Sequence, residues 1–348
     1  MLQPDVPRIR SASVNAQKML SGMLLLVVAL FGCVLVGSRS LDVGTDTLTY
    51  AKFFLSFDHQ GTVTTRLEPG FVLVTGLLRY LGFSVHAYQA ALFGLMLLSI
   101  VLASRKYFDY LDEPRRYLTY LIACTALLYV SPMFVNATIN TVRQGIASLI
   151  VFTALLCFYR RQWRQFLLYG ALASSVHYSS LLYLACAPLL LLSTRNMRII
   201  GCLAFVLYCS GLSQILVRAL LPSLYNAVMD HEANTNFRVG TRIDFAVFSI
   251  FWYLLIYFGA NLVRSPVDAK LRQSASIYLV LTLPFFLVGW GSFSNRYLLP
   301  AWLAASLFVA ALLYYSRIAL LREPLLLATL LIGACGAYFY YVTHLVII

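Results

Sequence analysis

Runs of about twenty apolar residues follow one another along most of this 348-residue chain, far more than a soluble core of that size could bury. They cover 19–37, 84–104, 117–135, 141–159, 178–193, 199–220, 244–263, 273–290, 297–315 and 324–346, with shorter runs at 68–82 and 164–176. In lipid a spanning backbone must satisfy its own polar groups, and a helix does so. Charged residues make up 11% of the chain, where a soluble domain carries about a quarter. The expectation is an all-α, polytopic integral membrane protein with about 10–12 transmembrane helices. Met19–Gly37 is unbroken and no clean small-x-small site follows it, so it reads as a span rather than a cleaved signal. The domain plan is a cytoplasmic tail, 1–18, whose first dozen residues read as disordered, and a single transmembrane domain, 19–348. External loops are expected at 39–67 and 221–243.

The net charge of +13 does not point to nucleic acid, because of where the charges lie. Lys and Arg fall in short breaks between apolar runs: Arg8, Arg10 and Lys18; Arg105, Lys106, Arg115 and Arg116; Arg160, Arg161 and Arg164; Arg195 and Arg198; Arg264, Lys270 and Arg272; Arg317 and Arg322. The positive-inside rule makes these the cytoplasmic loops. With the N-terminus inside, they stay on one side only if 68–82 does not cross, as a re-entrant or half-depth helix would not. The run 164–176 then exits and 178–193 returns, which puts His177 at the outer face. Reading 164–192 as one tilted helix would send Arg264, Lys270 and Arg272 outside.

The seven cysteines all lie in apolar runs without ligand spacing, so neither disulfides nor a metal is expected. No P-loop, nucleotide fingerprint, GxSxG elbow or zinc helix is present, which argues against nucleotide-dependent chemistry on the cytoplasmic side.

The charges left on the outer face carry the functional reading. Asp42-Val-Gly-Thr-Asp46-Thr-Leu-Thr-Tyr50 opens the first external loop with turn-forming residues whose side-chain oxygens are presented. Glu68-Pro69-Gly70-Phe71 reads as a helix start at the membrane, where Glu68 has Arg66 or another external arginine as an ordinary partner. Asn140-Thr141-Val142-Arg143-Gln144-Gly145 begins another helix with a fork of donors suited to phosphate, though snorkelling also accounts for Arg143. His177 sits among Ser174, Ser175, Tyr178, Ser179 and Ser180, placed to shuttle a proton or simply to bond a neighbour. Arg238 and Arg242 end the second external loop. Gly289, Gly291, Ser292 and Ser294 lead to Arg296 and Tyr297. Arg143, Arg238, Arg242 and Arg296, with Gln144 and Tyr297 beside them, suggest a clamp for pyrophosphate and glycan.

In order, Gly44-x-Asp46 with Tyr50, Glu68-Pro69-Gly70-Phe71, Asn140-x-x-Arg143-Gln144-Gly145-x-Ala147, His177-Tyr178-Ser179 and Arg296-Tyr297 resemble the EpsG-like family of Wzy-type polysaccharide polymerases. The likeness covers roughly residues 40–300, and the Arg-Gln helix start followed by His-x-Ser is its most specific part. The resemblance implies a fold related to lipid-carrier-dependent membrane glycosyltransferases, in the inner membrane of bacteria. It implies a polymerase of exopolysaccharide, capsule or O-antigen that joins undecaprenyl-pyrophosphate-linked repeat units on the periplasmic or outer face. Its partners would be the lipid-linked oligosaccharide donor and acceptor, membrane lipid, and a flippase and chain-length regulator of the same pathway; no cofactor or nucleic acid is implied.

On the chain's own residues, Glu68 is the first choice of general base, because partial desolvation would raise its pKa. His177 is second and Asp46 third. Three rivals stand beside the polymerase. A flippase or transporter should show internal repeats and helices broken at midplane, neither of which the sequence displays. A membrane acyltransferase would need a His-centred site fed from inside, and a non-enzymatic export subunit would need no site.

Overall fold

A computed structural model describes residues 6–57, 67–111, 117–229, 240–291 and 293–344. Every regular element among them is helical: α1 (Val6–Ser38), α2 (Thr47–Leu55), α3 (Pro69–Tyr80), α4 (Val85–Leu111), α5 (Tyr117–Tyr129), α6 (Pro132–Ile139), α7 (Val142–Tyr159) and α8 (Trp163–Val176) in the first half. The second half adds α9 (Ser180–Ala185), α10 (Thr194–Cys209), α11 (Leu212–Leu220), α12 (Pro222–Met229), α13 (Ile243–Gly259), α14 (Val267–Val288), α15 (Leu299–Tyr314) and α16 (Pro324–His344). Among the described residues, seven helical segments are long and apolar enough to span a membrane, and nine if each of two bent pairs counts as one span. The all-α polytopic class therefore stands. The two shorter runs α8 and Ser180–Leu191 also pass between the ends of the bundle.

The helices sort by how apolar they are around their circumference. Helices α7, α14 and α15 are buried on most faces and form the centre, where a helix apolar all round belongs. Helices α1, α13 and α16 bury only a minority of their residues and turn leucine and phenylalanine outward, as lipid-facing helices do. Helix α7 packs most extensively on α8, and α5 on α16.

The bundle has two chemically different ends. At one, Lys106 donates to Gln165, Tyr110 donates to the Lys270 carbonyl, Arg264 N–H donates to the Tyr315 carbonyl, and Arg198 donates to Tyr257. The described basic loops thus gather at that end, in keeping with the charge-based map. Glu68, His177, Arg143 and Arg296 lie at the other. The run 68–82 stays at this second end. Thr75 on α3 bonds Tyr88 in the first turn of α4 at 3.1 Å, and His86 bonds the Gly37 carbonyl at the end of α1 at 2.8 Å. The run 164–192 is not one tilted helix, because the chain turns at His177, whose backbone is extended.

Three expectations change. The first helix begins at Val6, so residues 6–12 are helical rather than disordered; residues 1–5 lie outside the described set. The run 117–135 is broken by 82°, with Pro132 starting α6 after Ser131 in extended backbone. The run 199–220 is broken by 90° at Gly211, whose φ of +77° suits glycine. Two bent helix pairs are therefore present, where the sequence shows no helix broken at midplane. Parts of both external loops, 58–66 and 230–239, fall outside the described residues, as do Arg66, Arg115, Arg116 and Arg238.

Candidate active site

Four helix ends build the site. Glu68 caps α3 in extended backbone, with Pro69 at the first helical position. Gly70 lets this start dock on the end of α8: a Cβ there would lie 2.8 Å from the Ser175 carbonyl oxygen and 2.5 Å from its hydroxyl. That approach delivers the Glu68 carboxylate to His177, the residue on which α8 ends. His177 Nδ1 lies 2.8 Å from Glu68 Oε1, and Tyr178 N–H donates to the same oxygen at 3.2 Å. The other carboxylate oxygen, Oε2, accepts from Arg143 in the first turn of α7. Arg143 Nε also donates to the Tyr50 hydroxyl at 3.4 Å, and its guanidinium lies 5.5 Å from the centre of the Phe71 ring.

The Glu68 side chain is only 5% exposed, yet its charge is fully met. Burial pushes its pKa up, but the hydrogen bond from His177 and the charge of Arg143 outweigh that and hold it at about 2. The expectation of a raised value is overturned. Oxygens saturated by three donors, in a group this acidic, make Glu68 a poor acceptor for a substrate proton. Since an ionised carboxylate can only accept, Nδ1 of His177 carries the proton and Nε2 is left as the basic nitrogen.

His177 also lines a cavity of about 340 Å³ with Gln144, Ser179, Phe293, Arg296 and Tyr297. Arg296 lies 4.2 Å from the centre of the Phe293 ring, and among the described residues no carboxylate is paired with it. The loop that carries it is tied from both sides. Gln144 Nε2 donates to the Arg296 carbonyl at 2.5 Å, and the buried Tyr183 hydroxyl donates to the Tyr297 carbonyl at 2.9 Å.

The described arginines of the expected clamp are not gathered at one place, and Arg238 lies outside the described residues. Arg143 is committed to Glu68. Arg242 is committed to Asp244, with Nε and Nη2 donating to its two oxygens at 2.9 and 2.6 Å, and lies over the Phe245 ring. Only Arg296 of the described arginines lines the cavity. Asp46 caps α2 one turn before Tyr50 and acts on the Tyr50 phenol through space, as do Arg143 and Arg296, but among the described residues its side chain makes no hydrogen bond to the site. Tyr50 and Phe71, which hold Arg143, were visible only as members of motifs; their signal was an aromatic ring four and three residues after an acidic one.

The family model of the EpsG family matches residues 22–347, nearly the whole chain. No curated protein and no solved structure matches.

Proposed function

Because this chain belongs to the EpsG family, whose type is the Wzy-like polymerase, we propose that it is a glycosyltransferase joining lipid-linked oligosaccharide repeat units at the outer face of a bacterial inner membrane. The carrier on this reading is undecaprenyl pyrophosphate. The observation that carries the reading is a histidine that lines an arginine-bearing cavity while its Nδ1 is held by a carboxylate already met by other donors.

The reaction runs as a single displacement. A hydroxyl of the acceptor unit attacks the anomeric carbon of the donor chain, and its proton passes to His177 Nε2. The bond from that carbon to pyrophosphate oxygen breaks, and the pyrophosphate leaves with the electron pair and its lipid. Glu68 orients His177 and offsets the imidazolium that forms, a positioning role rather than the base role first expected. Arg296, beside the cavity's open volume, offsets charge growing on the leaving group. Arg143 acts behind the site, fixing Glu68. Gln144 and Tyr183 fix the Arg296 loop.

The bent pairs α5–α6 and α10–α11 give a transporter of the same lipid-linked units a specific claim. One experiment separates the two. The purified chain, alone in liposomes with lipid-linked repeats, should build a ladder of polymer, and His177→Ala should not. Transfer of unpolymerised units across the bilayer, with no ladder, would establish the rival.

A further inference from the structure

A second cavity lies against the first and is its chemical opposite. It measures about 360 Å³, and of its lining side chains only Ser213 and Tyr297 bear a hydroxyl. The two spaces share a wall made of Leu224, Val228 and Tyr297. The apolar one exists because α10 stops at Cys209: the 90° turn at Gly211 sends α11 off sideways and leaves α14 uncovered. Leu207 from α10, Leu216 and Val217 from α11, and Leu283 and Leu287 from α14 then surround a groove. At its margin Leu182, Leu216 and Leu287 remain 40%, 45% and 50% exposed, so it opens on the side that lipid would occupy.

An arginine-bearing cavity adjoining an uncharged groove matches one kind of molecule, an amphiphile with an anionic head and a hydrocarbon tail. We infer that the groove between α10, α11 and α14 seats the first isoprene units of a polyprenyl pyrophosphate whose head occupies the His177–Arg296 cavity. This rests on the polymerase reading and adds the place of the carrier's tail. A single channel of this volume takes one chain, whereas a glycerophospholipid presents two. Pockets of about 300–1,000 Å³ hold drug-sized ligands, so only the chain's start fits and the rest stays in the bilayer.

The test uses the full chain in phosphatidylcholine nanodiscs with three probes: undecaprenyl pyrophosphate, dimethylallyl pyrophosphate and phosphatidylglycerol. The long-chain probe should bind at least tenfold tighter than the five-carbon one, a difference of about 1.4 kcal/mol. Ala204→Trp and Leu207→Trp, which fill the groove away from the shared wall, should bring that ratio close to one. Leu254→Trp, on the outward face of α13, should leave it unchanged and serves as the control for added bulk. A polyprenyl phosphate carrying a diazirine in its first unit should label α11 or α14, including in any filling variant too unstable to assay. Absence of a chain-length preference in the parent, an unchanged ratio in both filled variants, labelling elsewhere, or equal competition by phosphatidylglycerol would overturn the inference. The polymerase reading is scored separately, by ladder formation: a ladder without the preference sinks only the groove, and the preference without a ladder sinks only the polymerase.

Discussion

Replacing Glu68 by glutamine removes one charge from the point where three parts of the chain meet. A carboxyl held at about 2 rather than 4.5 favours its ionised form by roughly 1–3 kcal/mol once solvent screening is allowed for. Glutamine forfeits that and leaves the half-buried Arg143 guanidinium without its counter-charge. The folded value lies below the unfolded one. The stabilisation is therefore complete above about pH 4.5 and is lost as pH falls through about 2. Thermal unfolding of parent and Glu68→Gln should differ by roughly 1–3 kcal/mol near neutral pH and converge as pH drops through that window. Turnover of purified lipid-linked repeats should fall about 10²–10⁴-fold at neutral pH, because an amide no longer fixes the tautomer that leaves Nε2 basic. Binding of the lipid-linked donor should change little, since Glu68 does not line the cavity. A variant with parental melting at neutral pH and turnover within threefold of the parent would refute both the electrostatic accounting and the positioning role.

His177→Ala should lose turnover by at least a hundredfold while still binding donor; near-parental turnover would show that another group takes the proton. Arg296→Ala should weaken donor binding and slow turnover roughly 10²-fold, and Arg296→Lys should recover only part, since lysine keeps the charge and loses the fork. Arg242→Ala, by contrast, should polymerise as the parent does in the ladder assay, because its guanidinium is spent on Asp244. Gly70→Ala adds a Cβ 2.8 Å from the Ser175 carbonyl oxygen, so α3 must shift from α8; turnover should drop at least tenfold with protein still in the membrane. For orientation, a cysteine at Asp42 should react with an impermeant thiol reagent from outside and one at Arg161 should not; the reverse pattern would invert the membrane map.

The helical class and the two-ended charge distribution were legible because each depends on local pattern. Apolar runs announce spans, and basic breaks announce one face. The bends were half legible. Pro132 and Gly211 are ordinary breakers, but a run that stays apolar through a break looks like one helix until packing redirects it. The junction itself was not legible. Glu68 reaches Arg143 across 75 residues and His177 across 109, and nothing local says which of several arginines will win the carboxylate. That choice belongs to the close approach of α3 and α8 and to the start of α7. The over-counted clamp has a plainer cause, since Arg242 and Asp244 stand two residues apart and their mutual neutralisation could have been read directly.

Helices α3, α7 and α15 all begin at the end of the bundle that holds the cavity, with Glu68, Arg143–Gln144 and Arg296–Tyr297 at or beside their first turns. Each such terminus carries about half a positive elementary charge from its aligned peptide dipoles. Placed where low-dielectric protein limits screening, these partial charges add to one another and cannot be titrated or mutated away. The end that faces the proposed substrate therefore holds three partial positive charges built into the backbone beside Arg296, set against the C-terminal end of α8 at His177. A protein of this design should be unforgiving of changes in where those three helices start.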